Sequence, residues 1–223
     1  MEKMFNGCES LTSLNLTNLK TSKVSSMDSL FNDCKKLKIL DLNNFDLSQV
    51  KNMKSMFSGC ESLTSVNLPK SSTTNLVSME NMFYNCKNLR IINLSSFTTS
   101  FVKNMVNIFS GCEKLLYLDL KNFNFSIVSD ISSMFEKCSS LIYLNVGRKS
   151  NNNINLKYDN IFENNANDTK YCMEISNYDL FSNYEIKSNC SDICFQEGIS
   201  IIFEKRKCIK KCEFDEEFKF EYN

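Results

Sequence analysis

The sequence predicts an α/β solenoid: right-handed coils of 26 residues, each a short parallel strand plus a short helix, followed by a small Cys-rich module. Three observations predict it. A Phe-x-x-Cys-x-x-Leu signature returns six times at a constant spacing of 26, with Phe at 5, 31, 57, 83, 109 and 135. A Leu-x-x-Leu-x-Leu pattern begins at the last residue of each signature, as in Leu37, Leu40, Leu42 or Leu115, Leu118, Leu120. Ahead of each signature, apolar residues recur three or four apart, as in Val50, Met53, Met56 and Phe57.

One period, residues 46–71, justifies the elements in order. Ser48 opens it as an expected helix N-cap, and Ser22, Thr74, Ser100 and Ser126 stand at the equivalent places. The stripe from Val50 to Phe57 has helical spacing and predicts one inward face over two to three turns. Gly59 then stops the helix with positive φ, a place filled elsewhere by Gly7, Asp33, Asn85, Gly111 and Lys137. Leu63, Val66 and Leu68 follow, and their closing alternation predicts a short strand with one buried face. Leu19, Phe45, Phe97 or Phe123 seals the turn after most strands.

Stacking is required for such units to fold. A single period buries roughly eight apolar side chains at about 1.5–3 kcal/mol each. Ordering its backbone costs on the order of 1–2 kcal/mol per residue, so an isolated unit is unfolded. The repeat core is therefore expected to file Phe5, Phe31, Phe57, Phe83, Phe109 and Phe135 beside Cys8, Cys34, Cys60, Cys86, Cys112 and Cys138.

Composition narrows the function. Lys plus Arg and Asp plus Glu each number 26, giving zero formal charge, and no basic stripe for nucleic acid is visible. The chain has no His, which excludes Ser-His-Asp and Cys-His nucleophile pairs and His-containing zinc sites. Its five Gly form no phosphate-cradling cluster. Neither a catalytic constellation nor a cofactor site is expected. No apolar run is long enough to span a membrane.

The stretch Asn44-Phe45-Asp46-Leu47-Ser48-Gln49-Val50, continuing through Met53, Met56, Phe57, Gly59 and Cys60 to Leu63-Thr64-Ser65-Val66-Asn67-Leu68, resembles the BspA-like leucine-rich repeat surface proteins of bacteria and protozoan parasites. The resemblance covers about residues 1–147 in six in-phase copies. It implies a leucine-rich-repeat solenoid in a non-catalytic, cell-surface protein used in attachment and in binding host or matrix proteins. Phe45 and Phe97 stand where commoner leucine-rich repeats carry an asparagine, so aromatic stacking is expected in place of an internal asparagine ladder. Repeat three departs by ending in Pro69-Lys70-Ser71.

The expected domains are six leucine-rich repeats over 1–150, a degenerate seventh repeat or cap over 151–168, and a Cys-rich module over 169–223. Ile154, Leu156, Ile161 and Phe162 carry the seventh repeat, slipped by one residue and lacking its Cys. Met1 is in phase with Met27, Met53, Met79 and Met105, so it reads as the repeat's own methionine. The chain is thus expected to be a fragment whose signal peptide and anchor lie outside it, with the whole protein at the cell surface.

The 11 cysteines form two populations. The repeat cysteines read either as small buried apolar filler or as neighbours close enough to oxidise. Cys172, Cys190, Cys194, Cys208 and Cys212 read as disulfides of unknown pairing, or as thiolates around zinc in a reducing compartment. Sequons at Asn15, Asn93, Asn124, Asn167 and Asn189 are possible glycosylation sites, although an Asn-rich chain produces many by chance.

The outward strand positions supply the candidate partner face. Ile39, Ile91, Tyr117 and Tyr143 form one column, beside a polar column that contains Asp41 and Asp119. The enlargement of the first column toward Tyr143 fits either a protein-contact patch or mere strand preference and docking of the terminal module. The expected function is adhesion or protein–protein interaction with a protein or glycan ligand, without nucleic acid. The alternatives are a spacer or stalk carrying a distal domain, and an intracellular repeat protein with a C-terminal zinc site.

Overall fold

A computed structural model describes residues 1–120, 122–141, 143–146, 156–165, 200–202 and 207–209. The chain divides into two compact units, Met1–Ile186 and Lys187–Asn223. In the second unit, strands β5 (Ser200–Ile202) and β6 (Lys207–Ile209) pair antiparallel, with Ile201 opposite Cys208.

The first unit is a stack of coils. Its strands are β1 (Ile39–Asp41), β2 (Ser65–Asn67), β3 (Tyr117–Leu120) and β4 (Tyr143–Val146). β1 pairs β2 and β3 pairs β4, both in parallel, and every residue faces the one 26 further on, as Leu40 faces Val66 and Leu118 faces Leu144. A bridge from Ile91 to Tyr117 continues the ladder where no named strand forms. A second line of parallel bridges joins Ser26 to Asn52 to Ser78, and Asn104 to Asp130 to Lys157. Leu40, Leu42, Val66, Leu118 and Leu120 are buried, because alternate residues of a strand point to one side.

The α/β class is overturned. Among the described residues there is no helix, so a leucine-rich-repeat solenoid with a strand and a helix in each coil does not describe this chain. The segment read as helical is a run of overlapping turns. Met56, Ser58, Cys60 and Leu63 donate their N–H groups to the carbonyls of Met53, Ser55, Phe57 and Cys60, three residues back. The N–H groups of Met53, Ser55, Phe57 and Gly59 instead leave the coil, for Ser78, Glu80, Met82 and Tyr84 of the next one, at 2.8–2.9 Å. In a helix all of these donors would bond four residues back within their own segment.

Spacing gives the physical reason. Successive signature Phe rings stack at 5.2–6.0 Å from Phe5 to Phe135. Packed helices need about 8–10 Å between axes, whereas strand-like segments need about 4.8 Å. Coils this close leave no room for a helix. The inward burial of Val50, Met53, Met56 and Phe57 follows from a three-residue turn period, which a short window cannot distinguish from a helical one.

Two left-handed residues per coil bend the run. One lies at Gly7, Asp33, Gly59, Asn85, Gly111 and Lys137, with φ between 56° and 77°. The other lies at Lys3, Ser29, Ser55, Asn81, Asn107 and Ser133, with φ between 52° and 56°. Ser48 caps nothing: its N–H donates to the Asp46 carboxylate at 2.9 Å, and this bond and that of the Ser48 hydroxyl hold the Asp46 carboxyl below its usual range.

A seventh layer closes the described stack. The Phe162 ring lies on Phe135 at 5.4 Å, with Leu156 and Ile161 buried beside it. Among the described residues no helix is long and apolar enough to cross a membrane.

Candidate functional site: the outer strand face

The interior of the stack fixes this face. Each repeat Cys after the first lies between two signature Phe residues and donates its thiol hydrogen backwards. Cys34 bonds the Phe5 carbonyl, Cys60 that of Phe31, Cys86 that of Phe57 and Cys138 that of Phe109, all at 3.1 Å, with Cys112 to Phe83 at 3.2 Å. All five are buried and free, and Cys8 is free and exposed. Burial, reinforced by a neighbouring Cys, pushes the Cys34 thiol up to about 11 and those of Cys60, Cys86 and Cys112 well above their usual range. Burial, with the Glu136 carboxylate adding to it, raises Cys138 likewise. These thiols are protonated donors rather than nucleophiles.

Buried threonines join coils on another side. The Thr73 hydroxyl donates to the Thr98 carbonyl at 3.1 Å and accepts the Thr98 N–H at 2.9 Å. Thr21 and Thr99 hold Asp46 and Asn124 in the same two-bond manner.

The strand ladder joins Ile91, Tyr117 and Tyr143 on three successive coils, while Ser65 separates them from Ile39. Ile39 is 60% exposed, and Ile91 and Tyr117 are half-buried. Two residues further along each strand, Asp41 is exposed and Asp119 half-buried. Three members of this column make local turns. Asn15, Asp41 and Asn93 each accept the N–H of the residue two further on, at 2.9–3.0 Å. Asn67 faces Pro69 at that position, which has no N–H to give.

Reading the sequence missed the cations on the other flank. Lys36, Lys38 and Arg90 are exposed just ahead of Ile39 and Ile91, and form no ion pair among the described residues. The equal phase of Lys38 and Arg90 within the repeat was the available signal. The neighbouring column alternates Glu9, Lys35, Glu61 and Lys87, pairing at 2.7 and 3.1 Å. Across the face, a basic edge, an apolar centre and an acidic edge follow one another.

Aromatic stacking is present, but the signature Phe residues build it rather than Phe45 and Phe97, which are simply buried. Asparagine pairs also bond between coils, Asn6 with Asn32 at 2.8 Å and Asn81 with Asn107 at 3.0 Å. Of the sequons, Asn15 and Asn93 are exposed, and Asn124 accepts the Ser126 N–H at 2.8 Å. Asn167, Asn189, Cys172, Cys190, Cys194 and Cys212 lie outside the described residues.

The model of one family, described as "Mycoplasma protein of unknown function, DUF285", matches residues 1–90 and 64–178. The chain belongs to this family. The overlap of the two matches reflects the periodicity, since a repeated unit aligns in more than one frame. The family's description assigns no activity. No curated protein matches the chain.

Proposed function

We propose that the chain is a non-catalytic binding module displayed at a cell surface, and that its outer strand face holds a protein or glycan partner. One observation carries the reading: Ile39, Ile91 and Tyr117 stand outward on a close-packed scaffold, between cations that form no ion pair among the described residues at one edge and carboxylates at the other. Apolar surface flanked by both charge signs is costly to leave in water and suits a partner with a matching strip. The resemblance to BspA-like surface proteins supports the same reading and adds attachment to host or matrix proteins as the setting.

The test is adhesion of the purified chain to immobilised matrix proteins and glycans. Replacing Ile39 and Tyr117 together by Ala removes the apolar centre without touching a buried side chain. Binding should fall at least tenfold while circular dichroism is unchanged. Undiminished binding by the double variant would remove this face from consideration.

A second reading is a spacer that carries a distal domain and binds nothing. The unbroken Phe stack from Phe5 to Phe162 favours it, because such a column holds its length. An array of candidate partners that stays empty over every face would select it.

A further inference from the structure

A different face of the coils combines apolar and basic side chains. Phe101 is 59% exposed, Ile127 is 44% and Val77 is 48%, against a core whose apolar members are mostly fully buried. Phe101 and Ile127 occupy the same phase one period apart, so they stand on successive coils. Val102 and Val128, each the next residue, are buried. Lys103 lies just beyond Val102 and faces outward with Phe101. The phase of Lys103 recurs as Val77 and Lys51, and the Val77 N–H bonds the Lys51 carbonyl at 2.9 Å. Lys23 shares the phase of Phe101.

The fully exposed charges on this face are cationic, and the nearby carboxylates are half-buried. Lys23, Lys51 and Lys103 are exposed and form no ion pair among the described residues. The nearby carboxylates are engaged elsewhere. Asp130 accepts the Ser132 N–H and hydroxyl at 2.9 and 2.6 Å, Asp46 accepts the Ser48 N–H, Asp28 accepts the Ser29 hydroxyl at 3.2 Å, and Glu80 pairs with Lys54 at 2.6 Å.

We propose that this face seats the protein on an anionic lipid surface, with Phe101, Ile127 and Val77 entering the headgroup region and Lys23, Lys51 and Lys103 meeting lipid phosphates and carboxylates. Size decides between a bilayer and a protein partner. A stable protein interface takes about 800 Å² from each side, whereas this apolar set spans only two coil steps, about 10 Å. A bilayer interface accepts single apolar side chains and adds the attraction of its anionic headgroups for each lysine. With zero net charge over the chain, the attraction is local to the patch.

The test is co-sedimentation of the full chain with vesicles of phosphatidylcholine alone or mixed with phosphatidylserine. The chain should sediment with the mixed vesicles, far less with the neutral ones, and be released by high salt. Phe101→Ser should lower partitioning about tenfold. Lys51→Ser and Lys103→Ser should each lower it about fivefold. Ile39→Ser, on the strand face, should leave it unchanged, so failure here is distinct from failure of the partner face. Equal binding to both vesicle types, no binding to either, or an equal loss in Ile39→Ser would overturn the proposal. So would retention of the chain through Phe101 and Lys103 by an acidic protein but not by vesicles.

Discussion

Cys60 gives its thiol hydrogen to the Phe31 carbonyl one coil earlier, and the same oxygen accepts the Cys34 N–H at 3.1 Å. Both lone pairs of a buried carbonyl are therefore used. The relationship makes Phe-x-x-Cys one hydrogen-bonding unit extended over two coils. In the seventh layer Asn165 replaces the Cys, and its amide nitrogen donates to the Phe135 carbonyl at 3.1 Å.

Cys60→Ala removes both the donor and its packing, and should cost about 1–3 kcal/mol in urea unfolding. Cys60→Ser keeps a donor aimed at the same oxygen and should cost less. An equal or larger loss for Ser would mean that the sulfur acts by packing alone.

Alkaline pH should weaken the fold through the same thiols. Their folded values lie above the ordinary 9.0, with Cys34 at about 11. The unfolded chain therefore loses these protons first, and the stability they contribute is fully present below pH 9 and declines as pH rises beyond it. Unfolding midpoints measured on either side of pH 9 check the sign. With a thiol-specific reagent, native protein should react quickly at exposed Cys8 and slowly at the five buried repeat cysteines.

Gly59 has φ +72° and lies beneath the Asp33 side chain of the preceding coil, where an added Cβ would meet Asp33 Oδ1. Gly111 lies beneath Asn85 in the same way, which explains the alternation of Gly with larger residues at this phase. Gly59→Asn should cost about 1–2 kcal/mol. In an Asp33→Gly background most of that loss should disappear, as a double-mutant cycle would measure. An undiminished loss would assign the cost to backbone strain.

Thr73 and Thr98 should respond oppositely to the same change. Thr73→Val strips the Thr98 backbone of a donor and an acceptor and should cost about 1–3 kcal/mol. The Thr98 hydroxyl is buried with no hydrogen-bond partner among the described residues, so Thr98→Val should be neutral or stabilising by up to about 1 kcal/mol. Thermal unfolding of the two variants decides it.

Position within the stack should scale the cost of losing a ring. Phe83 lies between Phe57 and Phe109 and is fully buried, so Phe83→Ala should cost about 3–5 kcal/mol. Half-buried Phe5 has one described neighbour, Phe31, and Phe5→Ala should cost about 1–2 kcal/mol. Equal losses would contradict a cooperative column.

The left-handed bend at Gly59 was legible because Gly, Asp and Asn tolerate that conformation, yet Lys137 adopts it at φ 57° without belonging to those types. The second bend, at Ser29, Ser55 and Ser133, was hidden because serine carries no such signal; only Asn81 and Asn107 marked it. Helix was misread for turns because Val50, Met53, Met56 and Phe57 fit either period. The deciding quantity, the spacing between coils, is a property of the stack and not of one window. On the outer face, Ile39 and Tyr117 were visible by alternation, while Lys36, Lys38 and Arg90 were lost in a chain of balanced charge.

Because the N–H groups of Met53, Ser55, Phe57 and Gly59 all reach toward the following coil, tension along the column loads these bonds lengthwise and opens layers one after another. Each released period of 26 residues would pay out about 90 Å of slack chain. Stretched between two attachments, the protein would yield in steps and absorb a tug that would snap a stiffer link.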